Sequence, residues 1–344
     1  MKRLSQKQKE RQCRLSCYRA KRLRQIRAHV RANKIHVRRR RAQGQKYGIH
    51  NCPAPRVLAY HGSHAQRLSF DEFVDSIEAS LCRGRRTCID FRKVERLFPC
   101  GMLLFLGRLD GWFQQYPGML SGKYPDDDLV EQMLQSANVL QRLGLEARKT
   151  ITHNDVKRWH QFEGDNVDAT PIEPFLVQVR AEADTALQMG LADCINEAIS
   201  NVKNHAYEAT ESSRWWMFAT IDSDRKHIFV AVYDRGDSVP GTLLRKPGIG
   251  DAVMLRKLRR GGDCELIAAA LGGRTRTRLP YRGKGLPEML DFTFAHADNG
   301  LAIYSRHGYF VGSGASRSQV KGTLRRVIDG TLLIWTLNYS GGVS

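Results

Sequence analysis

The chain has 344 residues, of which 42% are hydrophobic, and this is enough for two separate hydrophobic cores. No run of about 18 apolar residues occurs, and the charged N-terminus does not fit a secretory signal, so we expect a cytoplasmic protein with no membrane span. The eight cysteines are scattered along the chain, which does not indicate a disulfide framework.

The net charge of +20 is concentrated in an N-terminal arm, predicted to span residues 1–50 and to be helical or disordered. Residues 1–46 hold 18 Lys or Arg and the single acid Glu10, whereas the remainder holds 37 basic and 34 acidic residues. A polycation of this density binds nucleic acid through its phosphates, and an acidic protein is the alternative partner. Four consecutive arginines are the predicted nucleic-acid contacts: Arg38, Arg39, Arg40 and Arg41.

Residues 51–150 alternate between short apolar strands and helices, which predicts a small α/β domain. The predicted strands are 56–60 and 87–91, and the predicted helices are 70–82, 102–112 and 126–143. This order, with the sequence Pro-Cys-Gly at residues 99–101, resembles STAS domains, the anti-sigma-factor antagonist fold. The resemblance implies a docking module for a protein partner. Cys100 stands where phosphorylated members carry Ser or Thr, so we expect no phosphorylation switch in this domain.

A polar stretch at residues 151–173 is predicted to be a linker. Beyond it, residues 196–206 read Asn-Glu-Ala-Ile-Ser-Asn-Val-Lys-Asn-His-Ala. This places Glu197 and Asn201 on one face of a predicted helix, because side chains four residues apart are neighbours on a helix surface. An acid and an amide at this spacing can position a water and a divalent cation beside a polyphosphate.

A β-hairpin is predicted directly downstream of this helix. Its strands are residues 215–221 and 228–233, and a short polar connection at 222–226 joins them. The second strand ends in Asp234, and Gly236 follows two residues later. A carboxylate at a strand end is a hydrogen-bond acceptor, and a glycine beside it allows a ligand to approach the backbone closely.

Two further signals complete the pattern. Gly283 and Gly285 open a predicted helix, a position where backbone N–H groups meet phosphates. Strands are then predicted at residues 300–305 and 332–337, and Thr331 directly precedes the second of them.

The order of these signals resembles the nucleotide-binding domain shared by gyrase, heat-shock protein 90, MutL and the histidine kinases, the GHKL superfamily. The resemblance covers about residues 171 to 340. It implies that residues 174–344 form an α/β sandwich, in which helices cover a mixed sheet, and that this domain binds ATP and Mg²⁺.

The resemblance also implies a role for each matching residue. Glu197 would be the catalytic acid that activates water, Asn201 the metal ligand, and Asp234 the acceptor of a hydrogen bond from the adenine amino group. Thr331 would close the adenine pocket through a water. The other implied cofactor-binding residues are Asn204, His205, Gly236, Gly283, Lys284 and Gly285.

The sequence departs from the superfamily pattern at two positions. Ser238 stands where a second glycine usually follows Gly236, and Asn204 stands where kinase members often carry Lys or Arg. The glycine-rich segment 239–277 lies where the superfamily has its mobile ATP lid, and a helix is predicted within it at residues 263–271.

These expectations describe an Mg-ATP-binding regulatory protein whose nucleotide state controls engagement of a protein or nucleic-acid partner, with slow ATP hydrolysis. Two alternatives stay open, which are an anti-sigma-type protein serine kinase and a nucleic-acid-binding accessory protein with a vestigial nucleotide site. A nucleotide switch joined to a polycationic arm suits a bacterial complex that handles nucleic acid. Formation of a homodimer also stays open.

Overall fold

A computed structural model describes residues 48–164, 170–202, 214–243, 260–272, 285–315 and 317–339 of the chain. This part is mixed α/β, with two parallel sheets of three and two strands and an antiparallel sheet of five strands. None of its helices is long and apolar enough to cross a membrane. The predicted arm contacts at Arg38, Arg39, Arg40 and Arg41 lie outside the described residues.

The N-terminal unit is built on parallel strands. Its three-stranded sheet has the order β1-β3-β5, and a second sheet pairs β2 with β4. The strands are β1 (His50–Pro53), β2 (Val57–Leu58), β3 (Thr87–Asp90), β4 (Arg96–Leu97) and β5 (Leu120–Lys123). The helices are α1 (His64–Cys82), α2 (Pro99–Gln115), α3 (Asp128–Ser136) and α4 (Val139–Arg142).

Helix α2 is the most buried helix of this unit because apolar side chains and glycines occupy nearly its whole circumference. It begins with a proline, a residue that is tolerated in the first turn of a helix. Cys100 in this first turn is only 2% exposed, and its Sγ accepts hydrogen bonds from the backbone N–H groups of Tyr60 and His61. The STAS-like position thus lies inside the protein.

The single helix predicted at residues 126–143 is wrong, because two helices, α3 and α4, occupy this range. The helical conformation is interrupted at Asn138, which has a φ of 55°. Asparagine is one of the few non-glycine residues that adopt this left-handed conformation at low cost. The apolar positions keep their helical spacing across the break, and for that reason the sequence pattern suggested one continuous helix.

The five-stranded sheet has the order β6-β7-β8-β10-β9, with every neighbouring pair antiparallel. The mixed sheet expected for residues 174–344 is therefore wrong for the part of the chain that the structure describes. Its strands are β6 (Trp159–Gly164), β7 (Trp215–Asp222), β8 (His227–Asp234), β9 (Gly300–Ser313) and β10 (Ser318–Asn338). The remaining helices are α5 (Asn154–Lys157), α6 (Glu173–Glu182), α7 (Thr185–Asn201), α8 (Val239–Leu243), α9 (Asp263–Leu271) and α10 (Gly285–Phe294). The predicted hairpin is confirmed as β7 and β8, and the helix predicted at 263–271 is confirmed as α9.

The predicted linker at 151–173 is wrong in part, because it contains α5 and the edge strand β6. Strand β6 pairs with β7 from Trp159 opposite Thr220 to Gly164 opposite Trp215. As an edge strand β6 pairs with one neighbour only, and its side chains are less buried than those of β7. The polar residues on either side of this short strand suggested a loop.

The five-stranded sheet is the middle layer of the molecule. On one face, residues such as Val232, Ile303 and Leu333 share a core with helices α6, α7, α9 and α10. On the opposite face, residues such as Tyr233 and Tyr304 share a core with the N-terminal unit, whose helix α2 contacts β7, β8 and β10. The central strands β7 and β8 are thus buried on both sides, and their alternate residues face different neighbours.

Candidate nucleotide site

Each of three neighbouring strands ends with a polar side chain on the face of the sheet that helices cover. These residues are Asp234 on β8, Thr331 on β10 and Ser305 on β9, and we call them the strand-end cluster. In the strand register, Thr331 lies opposite both Asp234 and Ser305. Alternation along each strand puts all three on the face that is covered by α7 and α10. The predicted residues Asp234 and Thr331 are therefore brought together.

Hydrogen bonds fix the hydroxyl side of this cluster. Ser305 is fully buried, and its hydroxyl donates to the carbonyl oxygen of Gly330 at 2.8 Å. The Ser305 Oγ lies 3.0 Å from the Thr331 Oγ1 and accepts a hydrogen bond from the Val239 N–H at 3.2 Å. The cluster thus joins β9 and β10 to the start of α8.

Asp234 is a buried carboxyl group without a cationic partner among its described contacts. It is 7% exposed, and its Oδ1 accepts a hydrogen bond from the Gly236 N–H at 2.8 Å. Burial raises the pKa of Asp234 to about 7, although the backbone N–H groups of Gly236 and Thr331 favour the ionised form. A ligand group that donates a hydrogen bond to this carboxylate would stabilise its charge.

A β-bulge holds the Thr331 side of the cluster in place. The register between β9 and β10 shifts between Ile328 and Thr331, and Gly330 within the shift has a φ of 81°. A Cβ at Gly330 would overlap the backbone carbonyl of Asp234. Only glycine adopts this φ at low cost and also leaves room for the Asp234 carbonyl, so Gly330 allows β10 to approach β8 closely beside the cluster.

Helices α7 and α10 pack closely and antiparallel over the same face of the sheet. Gly190 of α7 lies against the Phe292 ring of α10, and Glu197 of α7 lies against Gly285, the first residue of α10. A Cβ at Gly285 would overlap the Glu197 side chain. Burial raises the pKa of Glu197, and the neighbouring carboxylate of Glu288 raises it further. The predicted catalytic acid thus lies at a helix N-terminus.

The other predicted residues of this region are described only in part. Helix α7 extends to Asn201, so Glu197 and Asn201 share a helix face as predicted. Asn204, His205, Gly283 and Lys284 lie outside the described residues. In the described ranges, no three His, Cys, Asp or Glu side chains form a metal cluster. The amide oxygen of Asn201 is nevertheless a hard donor that fits Mg²⁺, which takes its remaining ligands from phosphates and water.

The departure at Ser238 has a local structural reason. Its hydroxyl accepts a hydrogen bond from the Gly241 N–H at 3.0 Å, and its carbonyl accepts one from the Thr242 N–H at 2.8 Å. Ser238 therefore caps α8, a role for which serine is among the preferred residues. The backbone N–H groups at the start of this helix also reach Ser305 through Val239.

Sequence reasoning missed Ser305 and Gly330 as parts of the site. Ser305 ends the predicted strand 300–305, and its position opposite Thr331 depends on strand pairing that a single sequence does not reveal. Gly330 carried a detectable signal, since a glycine directly before Thr331 in a strand is typical of a bulge.

No protein-family model matches the chain, and no curated protein matches it in sequence.

Proposed function

We propose that the chain is an Mg-ATP-binding regulatory protein of the GHKL type, preceded by a STAS-like module. The observation that carries this proposal is the position of Asp234. This buried acceptor shares one face of the sheet with the helix pair that holds Glu197 against Gly285. The arrangement offers an acceptor for a base amino group and, separately, a helix N-terminus for phosphates.

At the base end, the Asp234 carboxylate would accept a hydrogen bond from the adenine amino group. The Gly236 N–H already orients one carboxylate oxygen, so the acceptor needs little rearrangement when the base arrives. Thr331 would hold a water between the base and the strand ends, and the Ser305 hydroxyl, 3.0 Å away, would orient the Thr331 hydroxyl.

At the phosphate end, the first N–H groups of α10 would bind phosphate oxygens, and Asn201 would hold Mg²⁺. The metal supplies positive charge that neutralises the polyphosphate. Glu197 would accept a proton from the attacking water. Its raised pKa makes it a stronger base than an exposed carboxylate, as general-base catalysis near neutral pH requires.

The nucleotide state would control partner engagement, with a protein partner on the N-terminal unit and nucleic acid or an acidic protein on residues 1–46. The proposal includes slow ATP hydrolysis. Transfer of phosphate to a serine of a partner chain would instead identify an anti-sigma-type protein kinase. Salt-sensitive nucleic-acid binding that ATP does not change would identify an accessory protein with a vestigial site.

Substitutions on α7 separate binding from hydrolysis. Glu197→Gln is expected to retain Mg-ATP binding and to lower the rate of phosphate release by at least about 100-fold, because the proton acceptor is lost. Asn201→Ala is expected to abolish Mg²⁺-dependent binding. Calorimetry and a phosphate-release assay measure the two effects.

The matched control on the same helix is Asp193→Asn, an exposed acid one turn before Glu197. This variant should bind and hydrolyse ATP like the unchanged protein. Equal phosphate release by Glu197→Gln and Asp193→Asn would contradict the role of Glu197 as base.

A further inference from the structure

We propose that an ion-pair network between helix α2 and the bulge of β10, formed by Arg108, Asp329 and Arg235, positions the strand-end cluster and sets its affinity for nucleotide. The N-terminal unit would thereby form part of the nucleotide site, although it packs on the opposite face of the sheet. This inference rests on the proposed function and names the regulation of that site.

Arg108 connects helix α2 to the bulge. Its Nη1 lies 2.8 Å from the Asp329 Oδ2, and its Nη2 donates to the Val327 carbonyl at 2.9 Å. The Arg108 side chain is 15% exposed, so its charge is largely removed from water and depends on these partners and on Glu78, whose Oε1 lies 3.5 Å from the Arg108 Nη1. The bulge is therefore held by a residue of the N-terminal unit.

Arg235 makes the second connection, directly after the adenine-side carboxylate Asp234. Its Nη1 donates to the Gly107 carbonyl of α2 at 2.9 Å, and its Nη2 lies 3.9 Å from the Asp329 Oδ2. Gly107 is also the point of closest approach between α2 and β8, because a Cβ there would overlap the Tyr233 ring. The Tyr233 hydroxyl donates to the Asp329 carbonyl at 3.0 Å.

Each member of the strand-end cluster therefore has a near neighbour in sequence that contacts the N-terminal unit or the bulge. Asp234 lies between Tyr233 and Arg235, and Thr331 follows Asp329 by two residues. On β9, Ser305 follows Tyr304, whose hydroxyl lies 2.8 Å from the Nδ1 of His61 in the N-terminal unit. Side chains on opposite faces of one strand share a backbone, so a shift of α2 moves the polar groups on the nucleotide side.

This network contributes little to the stability of the folded protein. Asp329 is 41% exposed, and ion pairs with an exposed partner contribute about 0–1 kcal/mol to folding. What the network fixes is the geometry of a bulge beside a buried carboxyl group. Because coupling between two sites is reciprocal, bound nucleotide should also hold α2 more tightly against the sheet.

The test replaces Asp329 in the full chain and measures the affinity for Mg-ATP by calorimetry. Asp329→Asn removes the charge that joins Arg108 to Arg235 and is expected to weaken binding roughly tenfold. Asp329→Glu keeps the charge and should restore most of the affinity. Lys321→Gln is the matched control, since it removes another ion pair of β10, to Glu265 on α9, away from the bulge.

Hydrogen exchange without nucleotide provides an independent measurement. Asp329→Asn is expected to speed exchange in residues 229–236 and 328–333, whereas Lys321→Gln should leave these segments unchanged. Equal Mg-ATP affinity of Asp329→Asn and the unchanged protein would overturn the inference. If the unchanged protein binds no nucleotide, the proposed function fails, and the exchange rates alone test whether the network positions the strand-end cluster. Faster exchange in Asp329→Asn but not in Lys321→Gln would support this positioning role. Equal exchange in both variants would overturn it.

Discussion

Asp234→Asn is expected to abolish ATP binding and, at the same time, to make the nucleotide-free protein more stable above pH 7. In the proposed function the carboxylate is the acceptor for the base, yet its burial is costly for the folded chain. Burial raises the pKa of Asp234 to about 7, compared with about 3.9 for an aspartate exposed to water. Asparagine keeps an oxygen for the Gly236 N–H without the charge.

The sign of this effect follows from proton binding. Between about pH 4 and pH 7 the folded protein holds a proton on Asp234 that the unfolded chain has released. The free energy of unfolding of the unchanged protein should therefore fall across this range by about 1.4 kcal/mol per pH unit relative to Asp234→Asn, or about 4 kcal/mol in total.

Denaturant unfolding at pH 5 and pH 8 measures about two thirds of this difference, because the pH-dependent range between them runs only from pH 5 to about pH 7. The exposed residue Asp298 provides the matched control, and Asp298→Asn should leave the pH dependence unchanged. Parallel pH profiles for Asp234→Asn and the unchanged protein would show that Asp234 is ionised at little cost, which contradicts a desolvated acceptor.

Gly330→Ala is expected to cost roughly 2 to 5 kcal/mol of folding free energy. Its φ of 81° is unfavourable for alanine by about 1–2 kcal/mol. The added Cβ would also overlap the Asp234 carbonyl, and overpacking of this kind adds about 1–3 kcal/mol. Because the bulge would have to move, Mg-ATP affinity should fall in any fraction that remains folded.

Gly144 provides the control for this substitution. It has nearly the same φ, 80°, but a Cβ there would meet no atom within 4 Å. Gly144→Ala should therefore carry only the backbone cost of about 1–2 kcal/mol. If thermal and denaturant unfolding show the same loss of unfolding free energy for both variants, the close approach of Gly330 to Asp234 does not restrict the size of the residue at position 330.

Elements with a strong local pattern could be predicted from the sequence. The β7–β8 hairpin has two apolar runs joined by a polar turn, and α9 is an apolar run that begins with acidic residues. Features that depend on tertiary contacts could not be predicted. Strand β6 is a short edge strand within a polar segment, and β9 and β10 continue as a long hairpin arm well beyond their predicted apolar ends.

The same distinction applies to the candidate site. The resemblance singled out Asp234 and Thr331 separately, but their pairing across β8 and β10 is a matter of strand register. The contribution that we propose for α2 left no pattern in the sequence, because it depends on Gly107 approaching Tyr233 and on Arg108 reaching Asp329, more than 200 residues later. Such contacts depend on which elements pack against each face of the sheet.

Calorimetric titration of Mg-ATP into the full chain tests the central claim most directly, with Asp234→Ala and Asp298→Ala measured in parallel. We expect the unchanged protein and Asp298→Ala to bind ATP only when Mg²⁺ is present, and we expect Asp234→Ala not to bind. Absence of binding by the unchanged protein, or equal binding by Asp234→Ala, would contradict a nucleotide site built on the strand-end cluster.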